Sequence, residues 1–362
     1  MKVLKVRVKP PYEILIDSGL LDKICEDLPT TLDFGKVALI TDSKVKELYG
    51  IRLLESLRGA GLKAEIFDFP EGEASKNINT VINLSRALIS KGFDRKDLIL
   101  ALGGGVVGDV AGFLASIYLR GVPYVQVPTT LLAQVDSSIG GKTGIDLPEG
   151  KNLLGTFYQP RKVYIDLDVL QSLPEREIKN GLAEIIKYGC ILKKKIFKLL
   201  QRRAKVVYRL DKELFQELIY QSCATKAFVV TKDERESGLR RVLNFGHTLG
   251  HALEALSNYT IPHGLAVAVG MTIEAKLAEI LRVNEEPLYV PIVNLLSSLE
   301  MPYRISHLNL SLNKEEILEV IKRDKKIWKG ILTIVLLKKI GEYTFYENPA
   351  PEAIKRAIME CM

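Results

Sequence analysis

Apolar residues in the first 170 or so positions fall in short unbroken runs; beyond about residue 173 they recur every three or four positions. Lys36 to Thr41 is one such run, closed by Asp42. Ala64 to Phe69 ends at Pro70, and Leu98 to Leu102 gives way to three glycines. Tyr124 to Val127 stops at Pro128, and Val163 to Ile165 is a further run. Runs of this length between turn residues predict strands buried on both faces. Helix-period stretches separate them, from Asp42 through Leu57 and from about Ile78 to Lys91. The alternation predicts an α/β domain, Rossmann-like with a mostly parallel sheet, over residues 1–172. Residues 173–362 read as an all-α, mainly helical domain, with a small hairpin from Lys329-Gly330 to Tyr346 before a last helix. The cleft between the two is the expected place for an active site.

Composition narrows the class. The 362 residues are 47% hydrophobic and 26% charged, which excludes disorder and fibrous repeats and suits two globular domains. The four cysteines, Cys25, Cys190, Cys223 and Cys361, include no C-x-x-C pair. That argues against a thiolate zinc knuckle or a disulfide scaffold and for a reducing compartment. Leu98 to Leu119 carries a single charge, Asp109, over a bilayer-length span. Its glycines at 103, 104, 105, 108 and 112 predict a strand, a turn and a helix start instead. The amino terminus lacks the apolar core of a signal peptide, and a cytoplasmic, non-membrane protein is expected. The net charge of +7 suits nucleic acid or an anionic small molecule. Lys193-Lys194-Lys195 and Arg202-Arg203 read as a solvated helix face, and no recognition motif supports nucleic acid.

Three groups of residues carry candidate chemistry. Gly103-Gly104-Gly105-Val106-Val107-Gly108-Asp109 follows a predicted strand and opens a predicted helix. Glycines there let N–H groups approach a diphosphate at a helix N-terminus. A close strand–helix packing turn is the competing reading. Asp42, ending an earlier strand, would accept ribose hydroxyls or simply cap a helix. Of four histidines, His247 and His251 stand at i and i+4 on one helix face, with His263 soon after. That pattern favours a divalent metal over satisfied core histidines. Spacing does not select the carboxylate ligand: Glu184, among apolar neighbours, is a candidate, and a surface Glu184–Lys187 pair is the alternative. Gly140-Gly141-Lys142-Thr143-Gly144 lacks the upstream spacing of a P-loop, so ATP is not expected. Lys151-Asn152, Arg240 and Lys325-Lys326 are further candidate ligands for phosphate or carboxylate.

From about Asp42 to Lys326 the chain resembles the 3-dehydroquinate synthase family. The matching stretches are Gly72 to Lys76, the glycine run through Asp109, Gln126 to Ser138, Gly140 to Thr143, Gly155 to Pro160, Gly181 to Gly189 and Leu243 to Thr248. The resemblance implies a dehydroquinate synthase-like fold and NAD bound by Asp42, Glu71, Gly72, Glu73 and Lys76. The same site would include Gly104, Gly105, Val106, Val107, Gly108 and Asp109, with Thr129, Thr130, Lys142 and Lys151. Val169, Leu170, Gln171, Ser172, Leu173 and Glu177 would close over the adenine side. A zinc or cobalt ion held by Glu184, His247 and His263 is implied, which moves His251 from metal ligand to substrate or phosphate contact. Asp136, Lys187, Lys226, Arg240 and Asn244 match positions for substrate hydroxyls and carboxylate. Lys142, Asn152, His251 and one of Lys325 or Lys326 match the phosphate side. Arg120 matches an arginine that reaches the neighbouring subunit's site, implying a homodimer. Lys44 departs from an asparagine common in relatives and is expected to tune NAD affinity at most.

The implied activity is that of a phosphate-eliminating carbon–oxygen lyase acting on an anionic sugar phosphate. It would convert 3-deoxy-D-arabino-heptulosonate 7-phosphate to 3-dehydroquinate and phosphate, in the shikimate route to aromatic amino acids. Transient oxidation by NAD acidifies the neighbouring proton, phosphate leaves, the hydride returns, and ring opening and aldol closure follow. A polyol dehydrogenase of the same fold would not need Lys142, Asn152, Arg240 and Lys325 or Lys326. A cyclase making another carbocycle would not need Arg240 and Asn244 for a carboxylate.

Overall fold

Seven strands form the main sheet of the first of two units in this computed structural model, which describes residues 1–310, 314–323 and 331–362. The first unit comprises Met1–Leu173 with Phe215–Arg235; the second comprises Pro174–Leu214 with Glu236–Met362. The boundary read at 172/173 leaves Phe215–Arg235 in the second half of the chain, whereas the structure groups it with the first. Side chains explain this: Glu217 pairs with Lys2 at 2.5 Å, and Gln216 donates to Asp17 at 3.3 Å.

The strands are β1 (Lys2–Val6), β2 (Tyr12–Asp17), β3 (Lys36–Asp42), β4 (Lys63–Phe69), β5 (Leu98–Gly103), β6 (Tyr124–Pro128), β7 (Lys142–Leu147), β8 (Gly150–Phe157) and β9 (Lys162–Asp166). The large sheet runs β1-β2-β9-β6-β5-β3-β4, antiparallel only between β1 and β2. All the apolar runs read from the sequence are strands of this sheet, and Val37, Leu39, Leu98 and Leu100 are wholly buried in its core. Winding reverses between β3 and β5, and ligands of open α/β sheets bind outside the carboxyl ends of the strands at such a point. Asp42 ends β3 and Gly103 ends β5. The pairing of Val37 with Leu98 and Ile40 with Ala101, continued, sets these two residues level.

Two features were not read from the sequence. The alternating amino terminus is the antiparallel pair β1–β2, and the glycine-flanked lysine opens a hairpin, β7–β8, rather than a phosphate loop. Gly144 faces Gly155 there. A Cβ on Gly155 would stand 2.3 Å from the Thr143 carbonyl, so this crossing of the two strands admits only glycine.

The second unit is built on helices Glu175–Ile191, Lys194–Arg203, His247–Leu256, His263–Ile280, Tyr289–Ser298, Lys314–Arg323 and Pro351–Glu360. An antiparallel hairpin, β10 (Thr333–Lys339) and β11 (Glu342–Glu347), completes it; Lys329 and Gly330 lie outside the described residues. Helix His263–Ile280 is mostly apolar and buried along most of its length, as expected of a central helix. Among the described residues no helix is long and apolar enough to cross a membrane.

Candidate active site

In the first unit the predicted cofactor residues gather around the strand ends. Asp42 accepts the Val45 N–H at 2.8 Å and so caps the helix that follows. Burial raises its pKa, opposed by the N–H groups of Val45 and Lys44. The Glu71 N–H donates to Ser43 Oγ at 3.2 Å, which places Glu71 next to this cap. Gly72, with φ of +101°, turns the chain into the short helical segment Glu73–Ser75.

Gly104 precedes helix Gly105–Ile117 without any side-chain cap. The first-turn N–H groups therefore have no carbonyl one turn back to bind. The Thr129 N–H donates to the Gly103 carbonyl at 2.9 Å, and the Thr130 methyl lies 3.1 Å from where a Gly104 Cβ would stand. The close packing that one reading of this run expects is present, and Gly104, Gly105 and Val106 at the helix start are half-buried.

A network of charges lies beside it. Lys76 Nζ stands 2.7 Å from Asp109 and donates to Asn152 Oδ1 at 2.6 Å. Lys151 pairs with Glu73 at 3.1 Å. The Asn152 N–H donates to Asp146 Oδ1 at 2.8 Å, and the Asp146 N–H returns to the Lys76 carbonyl at 2.8 Å. Asp146 is a member of this network that the sequence did not suggest. Burial opposes charge on Glu73, yet Lys76 and Lys151 outweigh it and hold the carboxyl below its ordinary value. Burial raises the pKa of Asp109, and Lys76 offsets this only in part. Lys76 is held above the ordinary lysine value, because Asp109 and Glu73 outweigh burial.

Lys226 Nζ donates to both the side chain and the carbonyl of Asp136, each at 2.7 Å. Lys142 is exposed at the start of β7. Val169 and Leu170 are buried while Gln171 and Ser172 are exposed, with the Tyr49 hydroxyl donating to Ser172 Oγ at 2.6 Å. Leu173 ends the first segment of the first unit, and Glu177, in the second unit, accepts from Asn180 Nδ2 at 3.2 Å. Arg120 is exposed on a left-handed turn, φ +68°, between Leu119 and Gly121.

The second unit brings the histidines to Glu184. This carboxylate is wholly buried in the middle of helix Glu175–Ile191. Its Oε1 lies 3.5 Å from Nε2 of both His247 and His263, whose rings are 5.1 Å apart. Lys187 Nζ lies against Oε2, so the pair expected at the surface is present but buried: both residues belong to the inward face of a covered helix. The outer nitrogens are engaged too. His247 Nδ1 stands 3.1 Å from the Phe245 carbonyl, and His263 Nδ1 3.0 Å from Glu254 Oε2. Contacts of this kind fix the tautomer that leaves Nε2 as a metal ligand.

A divalent ion fits these residues. Glu184 Oε1 is buried without a hydrogen-bond partner, a costly state unless a cation comes close. Two imidazoles and one carboxylate form the three-ligand set of catalytic zinc sites, which leave a position for substrate or water. Burial lowers the pKa of His263, but Glu184 and Glu254 outweigh it and push the value up to about 10. The site thus demands a positive charge, from a proton or from a metal. His251 shares the helix face of His247, with rings 5.2 Å apart, but its Nε2 is 3.9 Å from Glu254 rather than turned to Glu184.

Arg240 is buried, and Asn244 Nδ2 donates to Glu236 Oε1 at 3.3 Å. Lys325 and Lys326 lie outside the described residues. Sequence reasoning missed Glu254, although it follows His251 by three positions on the same helix face.

Family models agree with this chain along much of its length: 3-dehydroquinate synthase N-terminal over residues 66–180 and 3-dehydroquinate synthase C-terminal over 181–327. A 3-dehydroquinate synthase of Thermodesulfovibrio yellowstonii is 42% identical over 99% of this chain and 100% of its own. A 2-epi-5-epi-valiolone synthase from Streptomyces hygroscopicus, with NAD+ and Zn2+ bound, superposes with a TM-score of 0.88 at 26% identity, covering 97% of this chain and 96% of that one. A 2-deoxy-scyllo-inosose synthase complexed with carbaglucose-6-phosphate, NAD+ and Co2+ gives 0.85 at 26% identity, with both chains covered in full.

Proposed function

The chain belongs to the 3-dehydroquinate synthase family, and we propose that it converts 3-deoxy-D-arabino-heptulosonate 7-phosphate into 3-dehydroquinate and phosphate. The observation that carries this reading is the buried Glu184 carboxylate with the Nε2 atoms of His247 and His263 each 3.5 Å away. When bound, NAD accepts and returns a hydride while zinc or cobalt draws electron density from the oxygen at the oxidised carbon.

The protein's share is binding, orientation and charge. N–H groups at the start of helix Gly105–Ile117 receive the cofactor diphosphate, and Asp42 accepts from a ribose hydroxyl. Glu73, Lys76, Asp109 and Lys151 enclose the cofactor with a balanced set of charges. Arg240 receives the substrate carboxylate as a planar two-pronged donor, with Asn244 beside it. Asp136, Lys187 and Lys226 hold substrate hydroxyls. Lys142 supplies positive charge to the phosphate, with Asn152 and His251 as hydrogen-bond donors, and the phosphate takes up the neighbouring proton as it departs, so no further protein base is required.

The reaction class is a carbon–oxygen lyase. We assign a homodimer, with the exposed Arg120 reaching a second copy's site, and a cytoplasmic place of action, in keeping with four free cysteines.

The test uses zinc-loaded protein, the heptulosonate phosphate and NAD far below the substrate concentration, with phosphate release and nicotinamide absorbance followed together. Many phosphates per NAD with no net NADH is the expected result. NADH accumulating with a polyol, and no phosphate released, would assign a dehydrogenase instead.

A further inference from the structure

Helix His263–Ile280 is almost wholly apolar around its middle, yet it carries one fully buried carboxylate, Glu274. Burying a carboxylate is expensive, and one contact it makes is to the backbone. Glu274 Oε2 accepts the Gly246 N–H at 2.6 Å. Gly246 is the cap residue of helix His247–Leu256, and that helix has no cap from its own side chains. A negative group at this position satisfies a donor and meets the positive end of the helix dipole.

The backbone at Gly246 leaves little room for another arrangement. Its φ is +78°, and an added Cβ would stand 2.6 Å from the Met271 side chain and 2.9 Å from the Val267 carbonyl. From the other side, a Cβ on Gly270 would meet the Gly246 carbonyl at 2.0 Å. The cap residue is therefore gripped by one helix, through close packing and through the Glu274 carboxylate, immediately before His247.

We propose that Glu274 is a positioning residue for the metal centre: through the Gly246 N–H it fixes the start of helix His247–Leu256, and with it the direction of His247 Nε2. Glu254 reaches His263 directly through Nδ1; Glu274 governs the other histidine through the backbone. The inference rests on the metal-site reading above.

Cobalt binding to metal-free protein tests it, read as affinity and as the visible d–d spectrum, with NAD affinity measured alongside. Glu274→Gln, which keeps an acceptor for the N–H, should stay within about threefold of wild-type cobalt affinity with an unchanged spectrum. Glu274→Met, similar in size but without an acceptor, should lose about 10–100-fold in affinity and shift the spectrum, the range seen for outer contacts of metal ligands. NAD affinity should not change in either. Wild-type affinity and spectrum in Glu274→Met would overturn the proposal. So would parallel loss of cobalt and NAD binding in both variants, which would mark a general packing role. Failure of the wild-type protein itself to bind cobalt would instead defeat the metal-site reading.

Discussion

In the first unit, the charges assigned to the cofactor already compensate one another: Lys76 with Asp109, Lys151 with Glu73. In the second, the buried Glu184 Oε1 has no hydrogen-bond partner and faces two imidazoles at 3.5 Å. In the first cluster Asp109 and Glu73 each already have an ammonium before a ligand arrives. The second sets two carboxylates, Glu184 and Glu254, against the one ammonium of Lys187, an excess of negative charge that a proton on His263 or a cation relieves. Metal binding should therefore be coupled strongly to pH and to folding, and NAD binding weakly.

The largest effect should come from the ligand carboxylate. Glu184→Gln keeps the shape but removes the charge, and metal binding should fall below detection in a chelator competition. NAD affinity should change little, whereas outer contacts of metal ligands alone are worth about 10–100-fold of metal affinity. Equal losses of both ligands would break the contrast between the clusters.

The next effect is pH dependence. His263 binds its proton more tightly in the metal-free fold, near 10 against an ordinary 6.5. The stabilisation this supplies is complete below the unfolded value and disappears as pH rises through the folded one. Metal-free protein should thus lose melting temperature between about pH 6.5 and 10, while zinc affinity climbs roughly tenfold per unit because the metal displaces that proton. A flat profile for both quantities would sharpen the comparison in the wrong direction, making the two clusters alike.

The smallest effect belongs to the balanced cluster. Lys76→Met leaves Asp109 without its cation in a mostly buried place, and breaking such a pair costs about 3–5 kcal/mol. Calorimetry should show that loss together with weaker NAD binding and unchanged metal affinity.

How much of this the sequence showed depends on where the information resides. The strands were visible because a sheet covered on both faces writes unbroken apolar runs. The edge pair β1–β2 was not, since its Lys2-Val3-Leu4-Lys5-Val6 alternation marks a strand with one wet face and was read only as a terminus. The β7–β8 hairpin was hidden by Gly144 and Gly155, residues that disfavour strands until the close crossing that requires them is known. His247 and His251 announced themselves by helical spacing, but spacing fixes only a shared face. Glu184, from a helix far upstream, stands beside His247 and His263. The resemblance supplied the choice of Glu184, His247 and His263; the geometry brings these three together and also gathers His251, Glu254 and His263. Glu254 and Glu274 stayed unread because a carboxylate in a helix ordinarily signals a surface pair, and only burial shows otherwise.

The most direct test is an X-ray structure of zinc-soaked crystals with anomalous data collected at the zinc edge. The account predicts one strong peak about 2.0–2.2 Å from Glu184 Oε1, His247 Nε2 and His263 Nε2, with His251 outside bonding distance. A peak held by His251 and Glu254, or none beside Glu184, would contradict it.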